Sequence, residues 1–197
     1  MSLISSSATT VIVGPPPPPT AAQLKVIRRS WELVSDTRWP NEPQTMSPCQ
    51  AFSIAFYDAL FALDRTIESA LSNIILQGKA LSGILSHLVR TRVVLDEAKS
   101  IDETHFARKL QAIGATYIEF NVQPYFFDLV GPALISALQR RLKEEYTATI
   151  EDAWLTAQHY ASYHLKIGLE TQLAHWSADS PFSTTDQNKT KGSCLIQ

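Results

Sequence analysis

Apolar residues recur at steps of three and four along most of this chain, and this spacing limits the fold more than any other feature. Leu24, Ile27, Trp31 and Val34, for example, lie on one face of a helix. No stretch of useful length alternates apolar and polar residues with the period of two that a half-buried strand shows. The sequence therefore predicts an all-α fold, with helices at about 20–34, 52–63, 73–95, 103–120, 125–145 and 147–175.

The length and charge of the chain limit the possible domain organisations and the classes of partner it could bind. The 197 residues suit one domain with tails. We expect a disordered Ser/Thr/Pro-rich segment at 1–20, a helical domain at 21–176 and a flexible tail at 177–197. A net charge of −2 gives no reason to expect nucleic acid as a partner. No apolar run approaches the roughly 18 residues of a membrane span.

Two proline-rich segments interrupt the helical pattern. The run Pro15–Pro19 favours polyproline II, either as a ligand for a proline-binding module or as a disordered spacer. The segment 38–48 is longer than a compact connection needs, so it is either functional or disordered. Within it, Trp39 is expected to be exposed.

The residues Cys194-Leu195-Ile196-Gln197 match a C-a-a-X prenylation box of the class that farnesyltransferase reads. The preceding residues 180–193 are polar, as an enzyme that threads the cysteine into its site requires. We therefore expect a farnesyl group on Cys194 and a peripheral location on the cytosolic face of a membrane, unless the four residues match by chance. One lipid gives marginal, reversible anchoring. Because Cys194 is assigned to the lipid, no disulfide framework remains, which fits a reducing cytosol.

Five segments, taken in order, resemble the globin family. The chain carries a Ser-Trp pair at 30–31, a second-helix signature at 56–64, a distal-helix start at 77–81, paired motifs at 121–124 and 128–131, and an Ala-Trp pair at 153–154. Over about 20–175 the chain is similar to single-domain globins of the bacterial or neuronal type. The resemblance implies a globin-like helical fold and a haem held by a proximal histidine, with a corner phenylalanine stacked on the ring.

Both of these haem-contacting positions depart from the family pattern. The proximal histidine position falls on Tyr117, and the corner phenylalanine position falls on Leu71. A Tyr117 phenolate would hold ferric iron, and a haem held in this way would bind oxygen poorly. Haem binding would therefore be weak or atypical. In the other interpretation, Tyr117 and Leu71 fill a pocket that has lost its cofactor.

The distal side keeps two polar residues of the family pattern. Tyr57 and Gln77 fall where the resemblance implies hydrogen bonds to an iron-bound diatomic ligand. The alternatives are a half-buried Tyr57 with its hydroxyl at the surface and a solvated Gln77. Core or surface positions, rather than iron ligation, are expected for all five histidines, which are His87, His105, His159, His164 and His175.

These features favour a membrane-tethered globin-fold sensor or regulatory protein rather than an enzyme. Haem would be bound weakly, ligated by a tyrosine, or lost. Its partners would be the membrane, a protein partner, and an apolar ligand or tetrapyrrole in the pocket. A functional haem protein is the alternative, binding oxygen or nitric oxide or doing redox chemistry at a membrane. A third, an inert helical scaffold, predicts a dispensable pocket.

Overall fold

A computed structural model describes residues 14–70 and 103–179 of the chain. Within these ranges the regular structure is helical and no strand forms, so the predicted all-α globin-like fold is confirmed. We number the described α-helices in chain order: α1 Ala21–Asp36, α2 Pro48–Leu63, α3 Thr66–Ala70, α4 Glu103–Thr116, α5 Phe126–Leu142 and α6 Ala148–Asp179. Short 3₁₀ turns follow α4 at Tyr117–Phe120 and α5 at Lys143–Glu145. The helix predicted at 73–95 lies outside the described residues.

The first two helices begin at capping boxes that the sequence spells out. At α1, the Thr20 hydroxyl accepts from the backbone of Gln23, whose side chain caps Thr20 in return. Ser47 and Gln50 form the same arrangement at α2, with Pro48 in the first turn, where proline has no N–H to lose. The second helix therefore starts at Pro48, four residues before the predicted Phe52. The sequence interpretation took Pro48 as the end of a proline-rich break, whereas it lies in the first turn of the helix.

An aromatic cluster joins the first, second and last helices. The ring of Trp31 meets Phe52 edge-on at 5.2 Å and Trp154 at 6.2 Å between centroids. The Trp154 indole N–H donates to the buried hydroxyl of Ser30 at 2.9 Å. The Ser-Trp and Ala-Trp pairs of the sequence thus meet in the core, where the polar atom of the tryptophan has a partner.

Helices α4 and α6 cross at a point where their backbones touch. A Cβ atom on Gly114 would collide with the backbone carbonyl of Leu165, and one on Gly168 would collide with that of Gln111. Only residues without a side chain allow this approach. The crossing fixes α4 just before Tyr117, so it also positions the candidate site.

The segment 38–48 is ordered by contacts to the end of α5, and the prediction of an exposed Trp39 is wrong. Trp39 is half-buried, its indole N–H donates to the carbonyl of Arg141 at 3.2 Å, and the Lys143 ammonium lies 3.6 Å from its ring centroid. The buried Arg141 guanidinium pairs with Glu42 and donates to the Thr37 carbonyl at 2.7 Å. The sequence could not show this, because the partners are about a hundred residues apart.

The proline run ends against the domain. Pro15 and Pro17 are exposed, whereas Pro19, directly before the Thr20 cap, is buried. At its C-terminal end the run is therefore part of the folded body. Across 14–70 and 103–179, no helix combines the length and the apolar character that crossing a membrane requires.

Candidate functional site

Tyr57 lies in the middle of α2 and is a core residue. Only 6% of its surface is exposed, which rules out the half-buried alternative. Its ring contacts Phe56 edge-on at 5.2 Å and Phe61 at 5.8 Å between centroids. Burial raises the pKa of the Tyr57 phenol, and the nearby Tyr117 phenol raises it further.

Tyr117 is the first residue of the 3₁₀ turn that follows α4. Its half-buried ring packs edge-on against Phe127 of α5, with centroids 5.6 Å apart. Burial raises the pKa of the Tyr117 phenol as well. Tyr57 belongs to the hydrophobic core cluster, and Tyr117 packs against the same cluster. The fold thus brings two of the predicted pocket residues, 60 positions apart in the chain, to the same part of the core.

The environment of Tyr117 keeps its phenol protonated. A haem iron is held by an anionic phenolate or a neutral imidazole, and loss of the phenol proton is disfavoured where burial raises the pKa. Among the residues of 14–70 and 103–179, the influences on these two pKa values are burial and, for Tyr57, the Tyr117 phenol. Tyr117 therefore offers a neutral phenol packed on Phe127, and it could hold a haem iron only if the iron displaced the phenol proton.

The histidines of the described part lie at the surface or in the packing of α6. His105, His159 and His175 are exposed. His164 is buried in α6, with Nδ1 3.4 Å from the Gln111 amide nitrogen and its ring against Tyr160 and Tyr163. Burial lowers the pKa of His164, which favours the neutral ring. Within 14–70 and 103–179, no group of three His, Cys, Asp or Glu side chains could hold a metal ion.

Leu71, Gln77, His87 and Cys194 lie outside the described residues, and their predicted roles stay predictions. The sequence interpretation missed Phe127 as the ring that holds Tyr117. The available signal was the adjacent Phe126-Phe127 pair at the start of α5, of which both members are buried. The sequence interpretation also missed an apolar cleft beside the same 3₁₀ turn, lined by Ile118, Asn121, Leu173, Trp176 and Ser177.

Two fish proteins are similar to this chain over 66% of its length. Neuroglobin of Danio rerio is 30% identical over 145 residues, which cover 66% of this chain and 80% of the relative. Neuroglobin of Tetraodon nigroviridis is 28% identical over 145 residues, with the same coverage of both chains. No model of a protein family matches the chain.

Proposed function

Because this chain belongs to the globin superfamily, we propose that it is a globin-fold sensor or regulatory protein, tethered to the cytosolic face of a membrane through a prenyl group on Cys194. Haem is held weakly through Tyr117 or has been lost. The observation that carries the proposal is the packing of the half-buried Tyr117 ring against Phe127, at the position where the resemblance to globins puts the proximal ligand. A protein that binds haem loosely is unsuited to carrying oxygen, so its surface and its pocket occupant become the means of signalling.

An apolar molecule with a hydrogen-bonding end is the kind of pocket ligand that this chemistry suits. Tyr57 and Tyr117 offer two neutral O–H groups within a core of Phe56, Phe61 and Phe127 rings. Phenol hydroxyls both donate and accept hydrogen bonds. A fatty acid or a tetrapyrrole without a tightly held iron has this character, because ligand pockets combine apolar walls with a few polar groups.

The tether has a direct test in cells. The Cys194→Ser variant lacks the thiol that is alkylated, so we expect it to leave the membrane fraction for the soluble fraction. Cys49→Ser is the matched control, since Cys49 is half-buried near the start of α2 and is not part of the box. Fractionation of expressed full-length protein measures the difference. Equal distribution of wild type and Cys194→Ser between the fractions would show that the tether is wrong.

A functional haem protein is the second candidate, and the resemblance of the chain to neuroglobins favours it. It requires Tyr117 to act as an iron ligand, whereas the packing role does not. In Tyr117→Phe the ring remains against Phe127 and only the hydroxyl is lost. If Tyr117 is a packing residue, the free energy of unfolding changes by less than about 1 kcal/mol and the visible spectrum is unaltered. Loss or reshaping of charge-transfer bands in this variant would establish the haem candidate instead.

A further inference from the structure

An apolar cleft of about 520 Å³ lies where the last helix ends. One wall is the 3₁₀ turn after α4, with Ile118 and Asn121, and the other is the end of α6, with Leu173, Trp176 and Ser177. Trp176 is 64% exposed, and Phe120 in the same 3₁₀ turn is 52% exposed. These are the two most exposed large apolar side chains in the described part of the chain.

We propose that this cleft and the exposed rings of Trp176 and Phe120 form a membrane-contact surface. The two rings insert into the headgroup region of a lipid bilayer. The proposal rests on the proposed tether, because it concerns how the domain sits once it is held at a membrane. Tryptophan suits this depth, since its ring is apolar and its indole N–H can still reach water or headgroups. Asn121 and Ser177 supply polar groups at the rim of the same cleft.

The position of the cleft along the chain supports a bilayer as the occupant. Cys194 follows Asp179, the last residue of α6, by fifteen residues. Even fully extended, a segment of that length spans only about 50 Å. A prenyl group in the bilayer therefore holds the end of α6 within that distance of the headgroups. This tethering makes contact effectively intramolecular and strengthens a surface that is weak by itself.

A second membrane signal is also what a single lipid requires. One chain anchors a protein only marginally, and stable residence takes a second element. None of the five cleft residues is charged. We therefore expect attraction of lysines and arginines to anionic lipids to contribute little at this cleft. Burial of the aromatic rings supplies the binding, so the surface binds neutral bilayers and is insensitive to salt.

The test uses the full-length chain with Cys194 unmodified, as bacterial expression yields it. Co-sedimentation with phosphatidylcholine vesicles at millimolar lipid measures the partition coefficient. Wild type is expected to bind, and Trp176→Ser and Phe120→Ser each lower the partition coefficient, by roughly tenfold for Trp176. Ile54→Ser is the control, because Ile54 is 44% exposed but lies on α2 away from the cleft lining, and it leaves binding unchanged.

A second readout guards against a folding defect in the variants. Brominated phosphatidylcholine should quench part of the tryptophan fluorescence of wild type, and Trp176→Ser should remove the quenched part, with an unaltered thermal melt. The proposal is overturned if wild type does not bind the vesicles, or if Trp176→Ser binds them as wild type does. It is also overturned if Trp176→Ser converts a dimer to a monomer without any vesicle binding, which would assign the surface to a second copy. The vesicle experiment uses protein without a lipid group, so it does not depend on the tether. If wild type and Cys194→Ser fractionate alike in cells, the tether is wrong, but the vesicle result still decides whether this surface binds a bilayer.

Discussion

Replacing Arg141 by alanine should lower the free energy of unfolding by about 3 kcal/mol. The side chains of Arg141 and Glu42 are only 5% and 15% exposed, so the variant leaves the Glu42 carboxylate with little solvent and no cationic partner. It also removes the donor to the Thr37 carbonyl. Glu42 further accepts from the backbone N–H of Trp39 at 3.1 Å, so the variant also weakens the attachment of segment 38–48 to α5. The contacts of Trp39 with the Arg141 carbonyl and with Lys143 remain. Chemical denaturation followed by circular dichroism measures the loss.

The neighbouring residue provides the matched control. Arg140 pairs with Asp58 at 3.7 Å, but the two side chains are 55% and 62% exposed. Exposed pairs of this kind contribute little because water and salt screen them. Arg140→Ala should therefore change the free energy of unfolding by no more than about 0.5 kcal/mol. Equal effects of Arg140→Ala and Arg141→Ala would show that the buried pair does not hold the segment.

Gly168→Ala should destabilise the fold by about 3 kcal/mol. The added methyl group meets the backbone carbonyl of Gln111 at the α4–α6 crossing, and a backbone cannot move aside as a side chain can. Alanine gains roughly 1 kcal/mol over glycine in a helix interior. The steric cost exceeds that gain, so the sign of the change is destabilising. The same argument applies to Gly114→Ala, which meets the backbone of Leu165.

Gly131→Ala is the control for helix propensity. A Cβ atom on Gly131 would lie 2.8 Å from the side-chain oxygen of Gln158. That contact is with a side-chain amide rather than with backbone, and the amide nitrogen is held by Phe127 and Ser162. The oxygen must give way only slightly, so we expect a loss of about 1 kcal/mol, smaller than that of Gly168→Ala. Urea denaturation of the three variants separates the two cases. If Gly168→Ala is as stable as Gly131→Ala, the two helices do not cross in backbone contact.

The starts of α1 and α2 show how far the sequence determines local structure. Thr20 with Gln23, and Ser47 with Gln50, are capping boxes that can be read directly, because both partners lie within one turn. The start of α2 was misplaced because Pro48 closes a segment with two earlier prolines, and proline both ends and begins helices.

The remaining features depend on contacts between residues that are far apart in the sequence. The sequence does not show that Gly114 and Gly168 face each other, or that Trp39 reaches Arg141, because no local pattern links them. The assignment of Tyr57 to the distal side and of Tyr117 to the proximal side rests only on the resemblance to globins. The raised pKa values of both phenols come mainly from burial, which only the fold supplies.

The visible absorption spectrum tests the central claim most directly. Full-length protein is expressed with haem supplied, desalted, and measured before and after dithionite. A Tyr117→His variant is measured beside it, because the resemblance to globins puts the proximal histidine at this position. We expect wild type to show a Soret band well below one haem per chain, because Tyr117 is packed as a neutral phenol, and Tyr117→His to retain more haem. A wild-type Soret band at one haem per chain with ferric tyrosinate bands, lost in Tyr117→Phe, would contradict the account.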